Sequence, residues 1–132
     1  MISRTAKYAL GILGYLAERP GARVPGAEIA RETGVPANYL SKILNQLRKH
    51  GIVDAEKGWG GGFHLCARAR RRPIRDVLAI IDGAESLGPR ECLFGLPDCD
   101  AASPCPLHPY WEEIQEIHAE MVTSVAIGDL AK

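Results

Sequence analysis

The chain has 132 residues, 46% of them hydrophobic, with 16 Lys+Arg balanced by 16 Asp+Glu and four cysteines. That fits one domain, or a compact domain with an added oligomerisation helix. No apolar run approaches the ~20 residues that cross a bilayer. The opening residues also lack the apolar stretch and cleavage site of a secretion signal.

The expectation is therefore a cytoplasmic protein with no membrane partner. Its cysteines read as metal ligands, because disulfides belong to oxidising compartments. The zero net charge hides an asymmetry. Residues 1–75 carry 14 Lys+Arg against 5 Asp+Glu, and residues 76–132 carry 2 against 11, so the halves stand at +9 and −9. A basic half is the footprint of a nucleic-acid binder, since Lys and Arg release counterions from phosphates. An acidic half faces solvent or a partner chain.

In chain order, Ala6, Ala9, Leu10, Leu13, Leu16 and Ala17 form a helical stripe over 3–18, with Ser3 as N-cap and Pro20-Gly21 as the stop. A short helix is predicted over 26–33, Gly34 turns the chain, and a third helix runs over 36–50. On that helix Leu40, Ile43, Leu44 and Leu47 make an i, i+3, i+4, i+7 core face, and Gly51 closes it. The opposite face carries Asn38, Tyr39, Ser41, Lys42, Asn45, Gln46 and Lys49, side chains suited to base edges and phosphates in a major groove.

Two strands are predicted at 52–55 and 63–66 around a glycine-dense tip. There Lys57, Trp59 and Gly60 can approach phosphate or the minor groove. A basic run, Arg68 to Arg75, leads into a helix at 73–82, with Pro73 in its first turn. Glycines and prolines from Gly88-Pro89 to Pro106 rule out a long helix or strand there. A last helix is predicted from 107 or 109 to 127, roughly 30 Å long at 1.5 Å per residue. Its stripe is Trp111, Ile114, Ile117, Met121, Val122 and Val125. So long a helix in so short a chain suits the seam of a symmetric dimer.

Cys92, Cys99, Cys105 and His108 fall in the helix-poor stretch with spacing C-x6-C-x5-C-x2-H. Thiolates and imidazole are soft or borderline donors, so their convergence points to zinc or an iron–sulfur cluster. Asp98 and Asp100 read as solvating this loop. Cys66 reads as a small buried filler and not a ligand.

Asn38-Tyr39-Leu40-Ser41-Lys42-Ile43-Leu44, the run Leu47 to Val53 and Gly58-Trp59-Gly60-Gly61-Gly62-Phe63, together with the cysteine loop and the long last helix, resemble the IscR/NsrR family of winged-helix transcription regulators. The similarity covers nearly the whole chain. It implies a mainly α fold with a small β-hairpin wing, and a homodimer on a palindromic or imperfectly symmetric double-stranded DNA operator. It also implies an iron–sulfur cluster in many members. Cys92, Cys99 and Cys105 match the cysteine ligands, and His108 matches the histidine ligand of the IscR branch, a 2Fe–2S holder. The NsrR branch uses the cysteines for a 4Fe–4S cluster. The six-residue first interval departs from the closest IscR pattern and keeps 4Fe–4S open, while His108 favours 2Fe–2S. An imidazole ligand raises the cluster potential and makes the site sensitive to protonation.

These readings divide the chain into a winged helix-turn-helix domain (1–87), a cluster loop (88–108) and a dimerisation helix with tail (109–132). The expected function is a regulator, a repressor by preference, with no small-molecule substrate and no enzymatic activity. Its operator binding answers to iron, redox state or nitric oxide. The alternative is a constitutive DNA binder with a structural Cys3His zinc site, although zinc knuckles usually have shorter intervals.

Overall fold

A computed structural model describes residues 2–88 and 90–132. Pro89, half of the expected Gly-Pro turn, lies outside the described residues.

Helix α1 (Arg4–Ala17) opens where the Ser3 hydroxyl accepts the Ala6 amide at 3.0 Å, an N-cap that satisfies one of the helix's orphan donors. Its apolar stripe is the centre of the molecule, with Ala6, Ala9, Ile12 and Leu13 wholly buried. Helices α2 (Gly26–Thr33) and α3 (Ala37–Lys49) follow, joined through Gly34, whose φ of 73° closes α2 in the left-handed cap. Leu40, Ile43, Leu44 and Leu47 are buried, as their spacing requires.

Strands β1 (Val53–Glu56) and β2 (Gly62–Leu65) pair antiparallel, Val53 opposite Leu65 and Glu56 opposite Gly62. Each is displaced by one residue from the expected range. Ile52 is used elsewhere: its amide donates to Leu47 O at 2.9 Å and its carbonyl accepts Cys66 N at 3.0 Å. Residue 24 adds a short third rung, because Val24 and Phe63 exchange backbone bonds of 2.9 and 2.8 Å. The wing is thereby fastened to the connection between α1 and α2.

After a 3₁₀ turn at Ala67–Arg71, helix α4 (Ile74–Asp82) packs on α1. Pro73 lies one residue before this helix, as its cap. Residues 88–107 contain neither helix nor strand where described, and α5 spans His108–Ser124. The last helix thus ends short of the expected residue 127, at 17 residues or about 25 Å. It stops because Val125 and Ala126 turn extended and pair with the strand-like backbone at Arg72–Ile74. Ile74 N donates to Val125 O at 2.9 Å and Ile127 N donates to Arg72 O at 2.8 Å. The tail then returns to the core, where Ile127 is fully buried.

The expected single apolar stripe on α5 resolves into two. Trp111, Gln115, His118 and Val122 face inward, half-buried or buried. Leu107, just before the helix, and Tyr110, Ile114, Ile117 and Met121 are exposed. Val125 lies beyond the helix, packed against the core.

Candidate metal centre and nucleic-acid interface

The cysteine loop is folded by its own turns. Gly95, at φ 83°, donates its amide to Cys92 O at 2.9 Å and bends the chain directly after the first cysteine. The Asp100 carboxylate accepts the amides of Ala102 (2.9 Å) and Ser103 (2.7 Å) and so shapes the return toward Cys105. Its role is more than the solvation expected of it. His108 N donates to Cys105 O at 3.1 Å, which joins the last cysteine to the first residue of α5.

These turns bring three sulfurs together. The Sγ atoms of Cys92, Cys99 and Cys105 lie within 4.8 Å of one another, Cys92 and Cys105 at 3.6 Å, and none is in a disulfide. Metal–sulfur bonds of about 2.3 Å in a tetrahedron set ligand sulfurs about 3.8 Å apart, so this spacing suits soft-metal ligation. His108 Nδ1 stands 3.4 Å from Cys99 Sγ. Its Nε2 lies 3.9 Å from the Glu112 carboxylate, so Nδ1 is the nitrogen turned toward the sulfurs. The donors form two close pairs, Cys92 with Cys105 and Cys99 with His108.

The thiols differ in acidity. Hydrogen bonds from the Leu96 and Phe94 backbone, with support from the neighbouring thiols, bring Cys92 down to about 7. The Cys105 amide, 3.4 Å from Cys99 Sγ, pulls Cys99 down. Burial and the two neighbouring sulfurs outweigh it, and Cys99 ends raised. Cys66 follows β2, away from the group, with burial pushing its thiol up.

A cavity of about 170 Å³ opens beside the sulfurs, lined by Cys92, Cys99 and His108 and also by Arg90, Trp111 and Gln115. The sequence reading did not include these last three. The available signal was helical: Trp111 and Gln115 lie at i+3 and i+7 from His108, on the same face. His118 continues that face. Burial and then the Arg90 guanidinium push its imidazole down. Its buried Nε2 has no hydrogen-bond partner among the described residues.

On α3 the side chains opposite the core, Asn38, Ser41, Lys42, Asn45, Gln46 and Lys49, are all exposed. Tyr39 differs. Its ring packs edge-on against Tyr8, centroids 5.3 Å apart, and joins the core. At the wing tip Lys57 and Gly60 are exposed and Trp59 is fully solvent-facing. Arg23 holds the tip-side end of β1 through a 2.8 Å ion pair with Glu56.

A helix-turn-helix with a polar outward face on its second helix, a hairpin wing, and a thiol-rich loop feeding a long terminal helix define a winged helix-turn-helix transcription regulator. The chain belongs to the Rrf2 family: the family model described as an iron-dependent transcriptional regulator matches residues 2–132. It is 32% identical over 109 residues to the HTH-type transcriptional regulator IscR of Vibrio campbellii, covering 83% of this chain and 63% of that protein. The chain thus spans under two thirds of the length of that relative. A protein of Aquifex aeolicus is 32% identical over 132 residues, covering 98% of this chain and 90% of the relative.

Among solved structures, CymR (YrzC), the global cysteine regulator of B. subtilis, superposes with a TM-score of 0.80 at 26% identity, covering 99% of this chain and 95% of that one. The IscR of T. potens superposes at 0.71 and 23% identity, covering 98% and 85%, a likeness of fold. These relatives are transcription regulators and not enzymes. Among the described residues no helix is long and apolar enough to cross a membrane.

Proposed function

We propose that this chain is a dimeric DNA-binding regulator, a repressor by preference, whose operator affinity is set by an iron–sulfur cluster held by Cys92, Cys99, Cys105 and His108. The observation that carries the reading is the convergence of three thiols and an imidazole at the N-terminus of α5. The two close donor pairs favour a 2Fe–2S centre, which takes two protein ligands per iron. When bound, the cluster supplies a centre that iron supply, redox state or nitric oxide can alter. The chain's own residues carry the consequence.

The loop delivers its ligands onto α5, and the exposed stripe of α5 faces a second copy. A dimer reads half-sites one helical turn apart, about 34 to 36 Å, so a shift of α5 against its partner changes the fit of both recognition helices. In each subunit α3 enters the major groove. Asn38, Ser41, Lys42, Asn45 and Gln46 face base edges, while Lys49, Lys57, Trp59 and Gly60 approach the backbone or minor groove. Tyr39 steadies the start of the helix through Tyr8.

One observation favours a second reading. All three sulfurs lie within 4.8 Å of one another, as a single tetrahedral zinc requires. The two readings separate on anaerobic purification. A brown or red protein with iron and sulfide in equal amounts supports the cluster, and a colourless protein with stoichiometric zinc overturns it.

A further inference from the structure

The backbone just before the first thiol of the site is clasped by α5. Trp111 Nε1 donates to the Glu91 carbonyl at 2.9 Å, and Gln115 Oε1 accepts the Arg90 amide at 2.9 Å. The Gln115 amide is itself oriented, since its Nε2 donates to Trp111 O at 3.4 Å. On the other side, Arg90 Nη2 donates to Ser86 O at 3.0 Å. Two successive backbone positions immediately before Cys92 are therefore tied to helix α5 in a stretch with no helix or strand of its own. Cys105 and His108 sit at the start of that same helix.

We propose that Trp111 and Gln115 are positioning residues of the metal site: their hydrogen bonds to the Arg90–Glu91 backbone present the Cys92 sulfur to Cys105. This rests on the metal-site reading but not on which metal is held. Hydrogen bonds that orient ligands typically change metal affinity by about 10- to 100-fold when removed. The clasp also makes α5 the common frame of the first and last ligands.

The test uses Co²⁺ as probe on the full chain, because its visible bands report thiolate ligation. It adds alkylation of each cysteine in metal-free protein. Gln115→Leu removes the acceptor for the Arg90 amide and the donor to Trp111 O, Trp111→Phe removes the donor to Glu91 O and keeps the ring, and Gln115→Glu keeps the acceptor for the Arg90 amide. The expected result is Co²⁺ affinity lowered about 10-fold or more in Gln115→Leu and Trp111→Phe, with recovery in Gln115→Glu. Cys92 should alkylate several-fold faster in the first two while Cys105 is unchanged.

Wild-type affinity and Cys92 reactivity in both folded variants would overturn the proposal. So would equal exposure of all three thiols, which means that the loop has simply melted. If Gln115→Leu fails to fold, Trp111→Phe decides. Wild-type protein that binds no Co²⁺ would overturn the metal-site reading itself, a separate result from variants that bind as well as wild type.

Discussion

Gly62 lies so close to Val24 that a Cβ on it would stand 2.6 Å from the Val24 carbonyl carbon. Its φ of 148° is also one that side-chain-bearing residues avoid. The glycine run therefore serves the wing's own construction. Gly61 adds to this, since a Cβ there would meet Glu56 O at 2.2 Å. Gly62→Ala should cost on the order of 1–3 kcal/mol in denaturant unfolding, through strain and displaced backbone. It should weaken operator binding as the wing shifts. Gly11, exposed on α1 with nothing within 4 Å of an added Cβ, gives the opposite sign. Gly11→Ala should gain roughly 0.5–1 kcal/mol. A stable Gly62→Ala protein with an unmoved midpoint would contradict this account of the wing.

The exposed face of α3 separates into two measurable contributions. On the proposed reading Lys42 neutralises phosphate, so Lys42→Ala should lower the slope of log affinity against log salt by about one and weaken all sequences alike. Gln46 is proposed to read a base edge, and Gln46→Ala should cost about 1–3 kcal/mol on the cognate operator and relax preference at one position. Tyr39 tests the packing found here. Tyr39→Phe keeps the edge-on contact with Tyr8 and should fold like wild type, while Tyr39→Ala should lower the unfolding midpoint. Competition binding over a salt series, with circular dichroism melts, distinguishes all three.

What could be read from the sequence was whatever repeats locally. Leu40, Ile43, Leu44 and Leu47 announce α3 by spacing alone, and the cysteine intervals announce a soft-donor loop, because ligand chemistry is written in residue type. What could not be read was whatever depends on backbone groups far apart in the chain. Nothing local marks Val24 as the partner of Phe63, or Arg72 and Ile74 as partners of Val125 and Ile127, since any residue supplies an amide and a carbonyl. The same reason hid Trp111 and Gln115, which act on main-chain atoms. The α5 stripe was misread because two apolar faces on one helix merge when only residue type is counted.

Cys92 should be the reactive thiol of the metal-free protein. The Leu96 and Phe94 backbone bring it from an ordinary 9.0 to about 7, so about half is thiolate at neutral pH. Its alkylation rate should rise with a midpoint near that value, while Cys66, pushed up by burial, reacts only at higher pH. A depressed thiol favours the fold on the alkaline side. Its contribution is full above the unfolded value of 9.0 and is lost as pH falls through about 7. Mass spectrometry of peptides alkylated across this range measures each site. Equal midpoints for Cys92 and Cys66 would refute the assignment, and zinc loading should protect Cys92 wherever the pH leaves the thiolates able to hold the metal.

The outward stripe of α5 makes its own prediction. Leu107, Tyr110, Ile114, Ile117 and Met121 advance by alternating steps of three and four, the spacing of a two-helix seam, and between 37% and 69% of each is exposed. Because Ile117 is 60% exposed, charging it should leave the subunit's fold intact. Val122, 2% exposed on the opposite face, belongs to the core, and Val122→Ala should destabilise the subunit itself by about 1–3 kcal/mol. Ile117→Glu should therefore give a folded monomer in sedimentation equilibrium, where the wild type should sediment as the proposed dimer. Operator binding should fall with it, because one recognition helix cannot span two half-sites. A dimeric Ile117→Glu protein would place the seam on another face.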